Sequence, residues 1–84
     1  MRLEQLEYVR AVDEHGSLRR AGEHLHVSLP ALSDAVTKLE RELGVTLLDR
    51  RRTGTRVSSA GRELLPRMLE ILDAADRLRT AARH

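Results

Sequence analysis

Apolar residues recur along most of this chain at helical intervals. Leu3, Leu6, Val9 and Val12 give a first helix its inner face, and Gly16 follows as a stop. Ser17 is placed to cap a second helix running to about Leu25, with Leu18, Ala21 and Leu25 turned inward. Ser28 caps a third, and Pro30 lies in its first turn, where a missing N–H costs nothing. The inner face of this third helix is Leu32, Val36, Leu39 and Leu43, spaced four, three and four, and Gly44 ends it. Small Ala21 and Gly22 allow a close helix crossing, and His26 falls at the turn, where it tolerates a positive φ better than most residues.

The period then changes. Val45, Leu47 and Leu48 form a short apolar run rich in strand formers, and Arg56-Val57-Ser58 is a second extended piece. Between them, Arg51-Arg52-Thr53-Gly54-Thr55 supplies a glycine where a hairpin turn needs one. Ser58 then caps a last helix from about residue 59 to residue 82. Along it Leu64, Met68, Ile71, Ala75, Leu78 and Ala82 are spaced four-three-four-three-four, and Leu65 and Leu72 widen the stripe. This coiled-coil-like seam is longer than so short a chain can cover from within, which predicts a homodimer interface. The competing arrangement folds the helix back on its own core. Pro66 removes a backbone bond and predicts a bend near Arg62.

Two short helices at a tight turn followed by a two-stranded wing predict a mainly α fold, a winged helix-turn-helix with a long C-terminal helix. The expected division is residues 1–58 as the DNA-binding unit and 59–84 as a linker or dimerisation helix. In such a motif the second helix enters the major groove of double-stranded DNA.

Composition narrows the picture. Eighty-four residues make one small domain, and with 40% hydrophobic residues but Tyr8 as the sole aromatic, the core is aliphatic. The absence of cysteine excludes disulfides and thiolate metal sites and fits a reducing compartment. No apolar run approaches the ~20 residues of a membrane span. The N-terminus opens directly on a helical pattern, so no signal peptide and a cytoplasmic location are expected. His24 and His26 are two apart, a poor spacing for a shared metal on a helix. Without a glycine-rich phosphate loop or an evident triad, no metal, cofactor or enzymatic activity is expected.

Net charge is only +2, but its distribution is uneven. Arg50, Arg51, Arg52 and Arg56 place four positive charges in seven residues with no acid among them. The remaining 11 basic residues face 13 acidic ones. The positive field therefore gathers at the wing, as a footprint for phosphates. The competing reading, a helical dimerisation or protein-interaction module, leaves this arginine cluster unexplained.

These residues also carry a family resemblance. Leu3-Glu4-Gln5-Leu6-Glu7-Tyr8, Gly16-Ser17-Leu18, Leu25-His26-Val27-Ser28, Pro30-Ala31-Leu32-Ser33, Leu39-Glu40-Arg41-Glu42-Leu43-Gly44-Val45, Leu47-Leu48-Asp49-Arg50 and Ala60-Gly61 follow in order without gaps. In this the chain resembles the N-terminal DNA-binding domain of LysR-type transcriptional regulators. The resemblance implies a dimerising linker helix, and in the full-length protein a C-terminal domain, absent here, that binds a small effector. It departs from the family's pattern in having Val9, Leu18 and Leu48 where Phe is usual. Leu29 stands where Gln is common, and Asp34 where Arg or another polar residue is common. A leucine can touch a thymine methyl but cannot bond an adenine edge, whereas an aspartate can accept from cytosine N4 yet is repelled by phosphate.

Chemistry and resemblance together assign expected roles. Ser17, Arg19 and Arg20 would meet phosphates from the start of the second helix. Ser28, Leu29, Pro30, Ser33, Asp34, Thr37 and Lys38 occupy the outer face of the third, with Ser33 and Thr37 suited to groove edges and Lys38 to backbone phosphate. Arg50, Arg51, Arg52, Thr53 and Arg56 belong to the wing, and Arg50 either meets DNA or pairs with Asp49 or a helix. Two such helices about one DNA turn apart would read an inverted repeat.

Overall fold

A computed structural model describes residues 1–51 and 53–83. Four helices and one hairpin follow in the order α1 (Leu3–His15), α2 (Leu18–Leu25), α3 (Leu29–Leu43), β1 (Leu48–Arg51), β2 (Gly54–Val57) and α4 (Ser59–Ala82). The serine caps form as the pattern predicts. Ser17 Oγ accepts from the Arg20 N–H at 3.1 Å, Ser28 Oγ from Ala31 at 3.2 Å, and Ser58 Oγ from Gly61 at 2.9 Å. Gly16, His26 and Gly44 close α1, α2 and α3 in the left-handed conformation, His26 at φ 57° and ψ 42°.

The core is aliphatic. Leu6, Val9 and Val12 of α1, Leu32, Val36 and Leu39 of α3, and Leu47 and Leu48 at the start of the wing are fully buried. Helix α1 sits at the centre and touches α2, α3, α4 and β2. Leu43 differs from expectation: it lies in the last turn of α3 and is exposed. The α2–α3 crossing depends on Gly22, where an added Cβ would lie 2.9 Å from the Val27 carbonyl oxygen. That carbonyl belongs to the backbone of the turn between the helices, so any side chain at position 22 would have to displace the turn.

The hairpin starts later than the apolar run suggests, because Val45 to Leu47 form the approach to β1 rather than its first residues. In its antiparallel register Leu48 faces Val57, Asp49 faces Arg56, Arg50 faces Thr55 and Arg51 faces Gly54. Side chains alternate along a strand. With Leu48 and Val57 in the core, Arg50 shares their face and turns toward α3. Asp49, Arg51 and Arg56 take the opposite face. Gly54, at φ 131°, adopts a backbone conformation that side-chain-bearing residues rarely reach.

Helix α4 continues through Pro66, and its stripe divides between two roles. Met68 and Leu72, expected in a dimer interface, are buried in the protomer's own core, with Leu64 and Leu65 packed against it. The cause is that the first half of α4 lies across α1, so the core of the first three helices is closed by α4. Beyond that contact Ile71, Leu78 and Ala82 are exposed and Ala75 is half-buried.

Two polar side chains that the hydrophobic pattern does not reveal fasten these parts. Gln5 is buried; its Oε1 accepts from the Arg2 N–H at 2.7 Å and its Nε2 donates to the Ala35 carbonyl at 3.2 Å, joining α1 to α3. Glu40, near the end of α3, accepts through Oε2 from the N–H groups of Leu47 at 2.7 Å and Leu48 at 3.1 Å. Removing this acceptor would leave two donors unpaired at fully buried residues. Glu40→Ala is therefore expected to lower stability by about 2–3 kcal/mol, and Glu40→Gln, which keeps an acceptor oxygen, by roughly 1 kcal/mol. Urea denaturation followed by circular dichroism checks both; equal losses would show that the clasp does not depend on its acceptor.

Candidate nucleic-acid interface

Burial of Leu32, Val36 and Leu39 fixes which face of α3 points away from the core. Ser28, Leu29, Pro30, Asp34 and Lys38 are exposed there, and Ser33 and Thr37 are half-buried beside them. The sequence therefore places this outer face correctly as a surface.

The hydroxyls on it are not free. Thr37 Oγ1 donates to the Ser33 carbonyl at 2.8 Å. Arg50 reaches over from β1, and its Nη2 donates to Ser33 Oγ at 2.9 Å and to Thr37 Oγ1 at 3.3 Å. Its Nη1 lies 3.8 Å from Glu40 Oε1. Of the two alternatives open for Arg50, the free protein adopts pairing with a helix. A hydroxyl has one donor and two acceptor sites. Ser33, having accepted from Arg50, keeps its O–H to donate outward, whereas Thr37 has committed its O–H to the backbone. Asp34 is also partnered, with Lys38 Nζ 3.2 Å from its Oδ2 one turn along the helix.

Beside this face runs a cleft of about 930 Å³ between α2, the start of α3 and the wing. Ser17, Arg19, Arg20, Arg50, Thr53 and Arg56 line it, bringing together the α2 and wing residues that the sequence singled out. Arg62, in the first turns of α4, lines it as well. In the sequence Arg62 stands out only as the point of a helix bend; its spacing from the wing arginines does not show that the start of α4 lies at the base of the wing, where Gly61 sits close to Leu47 and Val57. Arg19 pairs with Glu23 at 3.5 Å and Arg51 with Asp49 at 2.8 Å, both on exposed surface. Such pairs contribute little to stability. Arg51 lies outside this cleft, in a smaller hollow with Asp49 that Arg56 also borders, and Arg52 lies outside the described residues. Among the described residues no three His, Asp or Glu side chains are grouped to hold a metal. His24 instead meets His15 of α1, ring centres 4.3 Å apart. No helix among them is long and apolar enough to cross a membrane.

Five arginines therefore line a cleft beside the exposed outer face of α3. Residues 3–62 match the family model described as bacterial regulatory helix-turn-helix protein, lysR family. A relative from Azotobacter vinelandii, named as an uncharacterized HTH-type transcriptional regulator, is 43% identical over 81 residues, covering 96% of this chain and 56% of its own length. The transcriptional regulator TcbR of Pseudomonas sp. strain P51 is 40% identical over 87 residues, covering 99% of this chain and 30% of its own. The chain thus spans about half of one relative and under a third of the other. In three dimensions it is similar to the CbnR DNA-binding domain crystallised with DNA, with a TM-score of 0.90 and 37% identity, over 99% of this chain and 95% of that one. Full-length CbnR with its target DNA gives the same TM-score, with 29% of that chain covered.

If the cleft arginines meet phosphates, losing two of them removes two counterion-release contacts. Arg56→Ala with Arg62→Ala is expected to weaken binding to unrelated duplexes as much as to a specific site, and to reduce the slope of log affinity against log salt by about 2. Fluorescence anisotropy at several salt concentrations measures this; an unchanged slope would place these arginines away from the DNA. The matching sequence, the four helices with their hairpin and the likeness to a solved DNA-binding domain together show that this chain belongs to the lysR family of bacterial regulatory helix-turn-helix proteins.

Proposed function

We propose that this chain is the DNA-binding domain of a bacterial transcriptional regulator and binds double-stranded DNA sequence-specifically as a homodimer. The observation that carries this reading is the pairing of an exposed α3 outer face with the arginine-lined cleft beside it. In this reading α3 enters the major groove with its N-terminal half, where Leu29, Pro30, Ser33 and Asp34 meet base edges. Ser17, Arg19 and Arg20 bind phosphates on one side of the groove. The wing, through Thr53, Arg56 and the neighbouring arginines, binds the backbone or the adjacent minor groove on the other. Phosphate contacts fix the register, and the α3 side chains select the sequence.

The dimer rests on the distal part of α4. Ile71, Ala75, Leu78 and Ala82 retain a four-three-four spacing after Met68 and Leu72 are taken into the core. Leu78 is 71% exposed and Ile71 is 42% exposed in the lone protomer, so this stripe gains most from a partner helix. Joining two protomers there presents two copies of α3 to an inverted repeat. Residues 59–84 then act as a linker that sets the spacing of the half-sites. By family likeness, the whole regulator works in the cytoplasm and responds to a small effector through a C-terminal domain.

Ile71→Asp combined with Leu78→Asp would place unpaired charges in that seam. The double variant is expected to sediment as a monomer while retaining its helical circular dichroism, and to lose affinity for an inverted repeat far more than for a single half-site. A wild-type chain that sediments as a monomer at high micromolar concentration would contradict the dimer.

A further inference from the structure

The outer face of α3 holds two opposite charges whose arrangement has a specific consequence. Asp34 and Lys38 lie one turn apart, both about two-thirds exposed, with Lys38 Nζ 3.2 Å from Asp34 Oδ2. Lys38 occupies one carboxylate oxygen, and Oδ1 has no donor among the described residues. The neighbouring hydroxyls are neutral and already accept from Arg50, and Thr37 also donates to backbone. Asp34 is therefore the strongest open acceptor on this face.

We propose that the Asp34–Lys38 pair reads a single C·G base pair in the major groove, Asp34 accepting from cytosine N4 and Lys38 donating to guanine O6 and N7. This rests on the DNA-binding reading above. A carboxylate only accepts, so it needs a base donor. The major groove offers two, cytosine N4 and adenine N6. At adenine the N6 donor lies beside the N7 acceptor, which repels a carboxylate and suits an amide instead. At cytosine an acceptor stands on one side of N4 only, the partner guanine's O6, and that guanine turns only acceptors, O6 and N7, toward the groove, where an ammonium is wanted.

The spacing agrees with this assignment. Cytosine N4 and guanine O6 are hydrogen-bonded to each other across the base pair, and such atoms lie about 2.7–3.2 Å apart. The Lys38 ammonium nitrogen lies 3.2 Å from Asp34 Oδ2, so the two charged groups stand side by side on the same scale, with Oδ1 left to accept from cytosine N4. Laid edge to edge, each charged group meets the base atom of complementary character without the protein pair separating. The pair carries no net charge, so Lys38 offsets the repulsion that a lone Asp34 would feel from the phosphates.

The test is selection of binding sites from a library of duplexes with a randomised central region, using the wild-type chain, Asp34→Asn, Asp34→Ala and Lys38→Met. All three substitutions are at exposed positions, and circular dichroism checks that each variant is folded. Wild type is expected to enrich half-sites with one invariant C·G pair. Replacing that pair should weaken wild-type binding by about 5- to 150-fold in a competition assay. Asp34→Asn should move the same position toward A·T, because an amide suits the adenine edge. Asp34→Ala and Lys38→Met should both relax it. A motif unchanged in Asp34→Asn, with tighter binding to every duplex, would overturn the inference and mark Asp34 as a repelled bystander. Uniform weakening in Lys38→Met, with the C·G pair still fixed, would overturn the shared-pair assignment and make Lys38 a phosphate contact. In both cases DNA binding itself would stand. A wild-type chain that enriches no motif would defeat the sequence-specific reading of the protein, and this inference with it.

Discussion

The arrangement of α3 and the wing hangs on the Glu40 carboxylate. Its position near the end of α3 is fixed by Leu39 beside it, which is fully buried. One of its oxygens holds the backbone where the chain turns into the wing, at Leu47 and Leu48. The other faces Arg50, which in turn bonds the hydroxyls of Ser33 and Thr37. A single side chain thus couples where the wing stands to how the α3 surface is presented. Without it α3 and β1 would be joined by a short connection, two buried leucines and the exposed bonds from Arg50 to Ser33 and Thr37. Hydrophobic contact has no direction, so burial alone would hold the hairpin close without setting its angle.

Burial and hydrogen bonding therefore do different work here. The aliphatic core decides which face of each helix is hidden, and so which remains for a partner. The polar contacts decide orientation: Gln5 between α1 and α3, Glu40 between α3 and the wing, Ser58 between the two ends of the hairpin. Ser58 illustrates the economy. Its Oγ donates to the Thr46 carbonyl at 2.6 Å and accepts from Gly61 at 2.9 Å, while its own N–H donates to the Leu47 carbonyl at 2.8 Å. Gly61 packs so closely below that an added Cβ would fall 2.7 Å from the same Leu47 carbonyl oxygen. The start of α4 is held against the base of the wing, which brings Arg62 to the cleft.

Much of this was legible in the sequence, for identifiable reasons. Helix boundaries were set by local chemistry: Ser17, Ser28 and Ser58 as caps, Gly16 and Gly44 as stops, His26 at the turn. The outer face of α3 followed from its inner one, because Leu32, Val36 and Leu39 leave little choice. What escaped was set by tertiary contact. The α4 stripe reads as one continuous seam, yet Met68 and Leu72 go to the protomer core because α1 happens to lie beneath them. Arg50 and Arg51 are neighbours in sequence and look equivalent, but strand alternation sends one to α3 and the other to Asp49. Glu40 and Gln5 bear no periodic signal, since their partners are backbone groups, which any residue type supplies.

Whether the outer face of α3, with the cleft and wing beside it, meets DNA is tested by titrating a short duplex into the isotopically labelled chain and following backbone amide resonances. The largest changes are expected at the start of α2, along the first three turns of α3, and in the hairpin, while the central residues of α1 and the distal half of α4 stay nearly unmoved. Changes centred on α4 around Ile71 and Leu78, with α3 unaffected, would contradict the proposed contact.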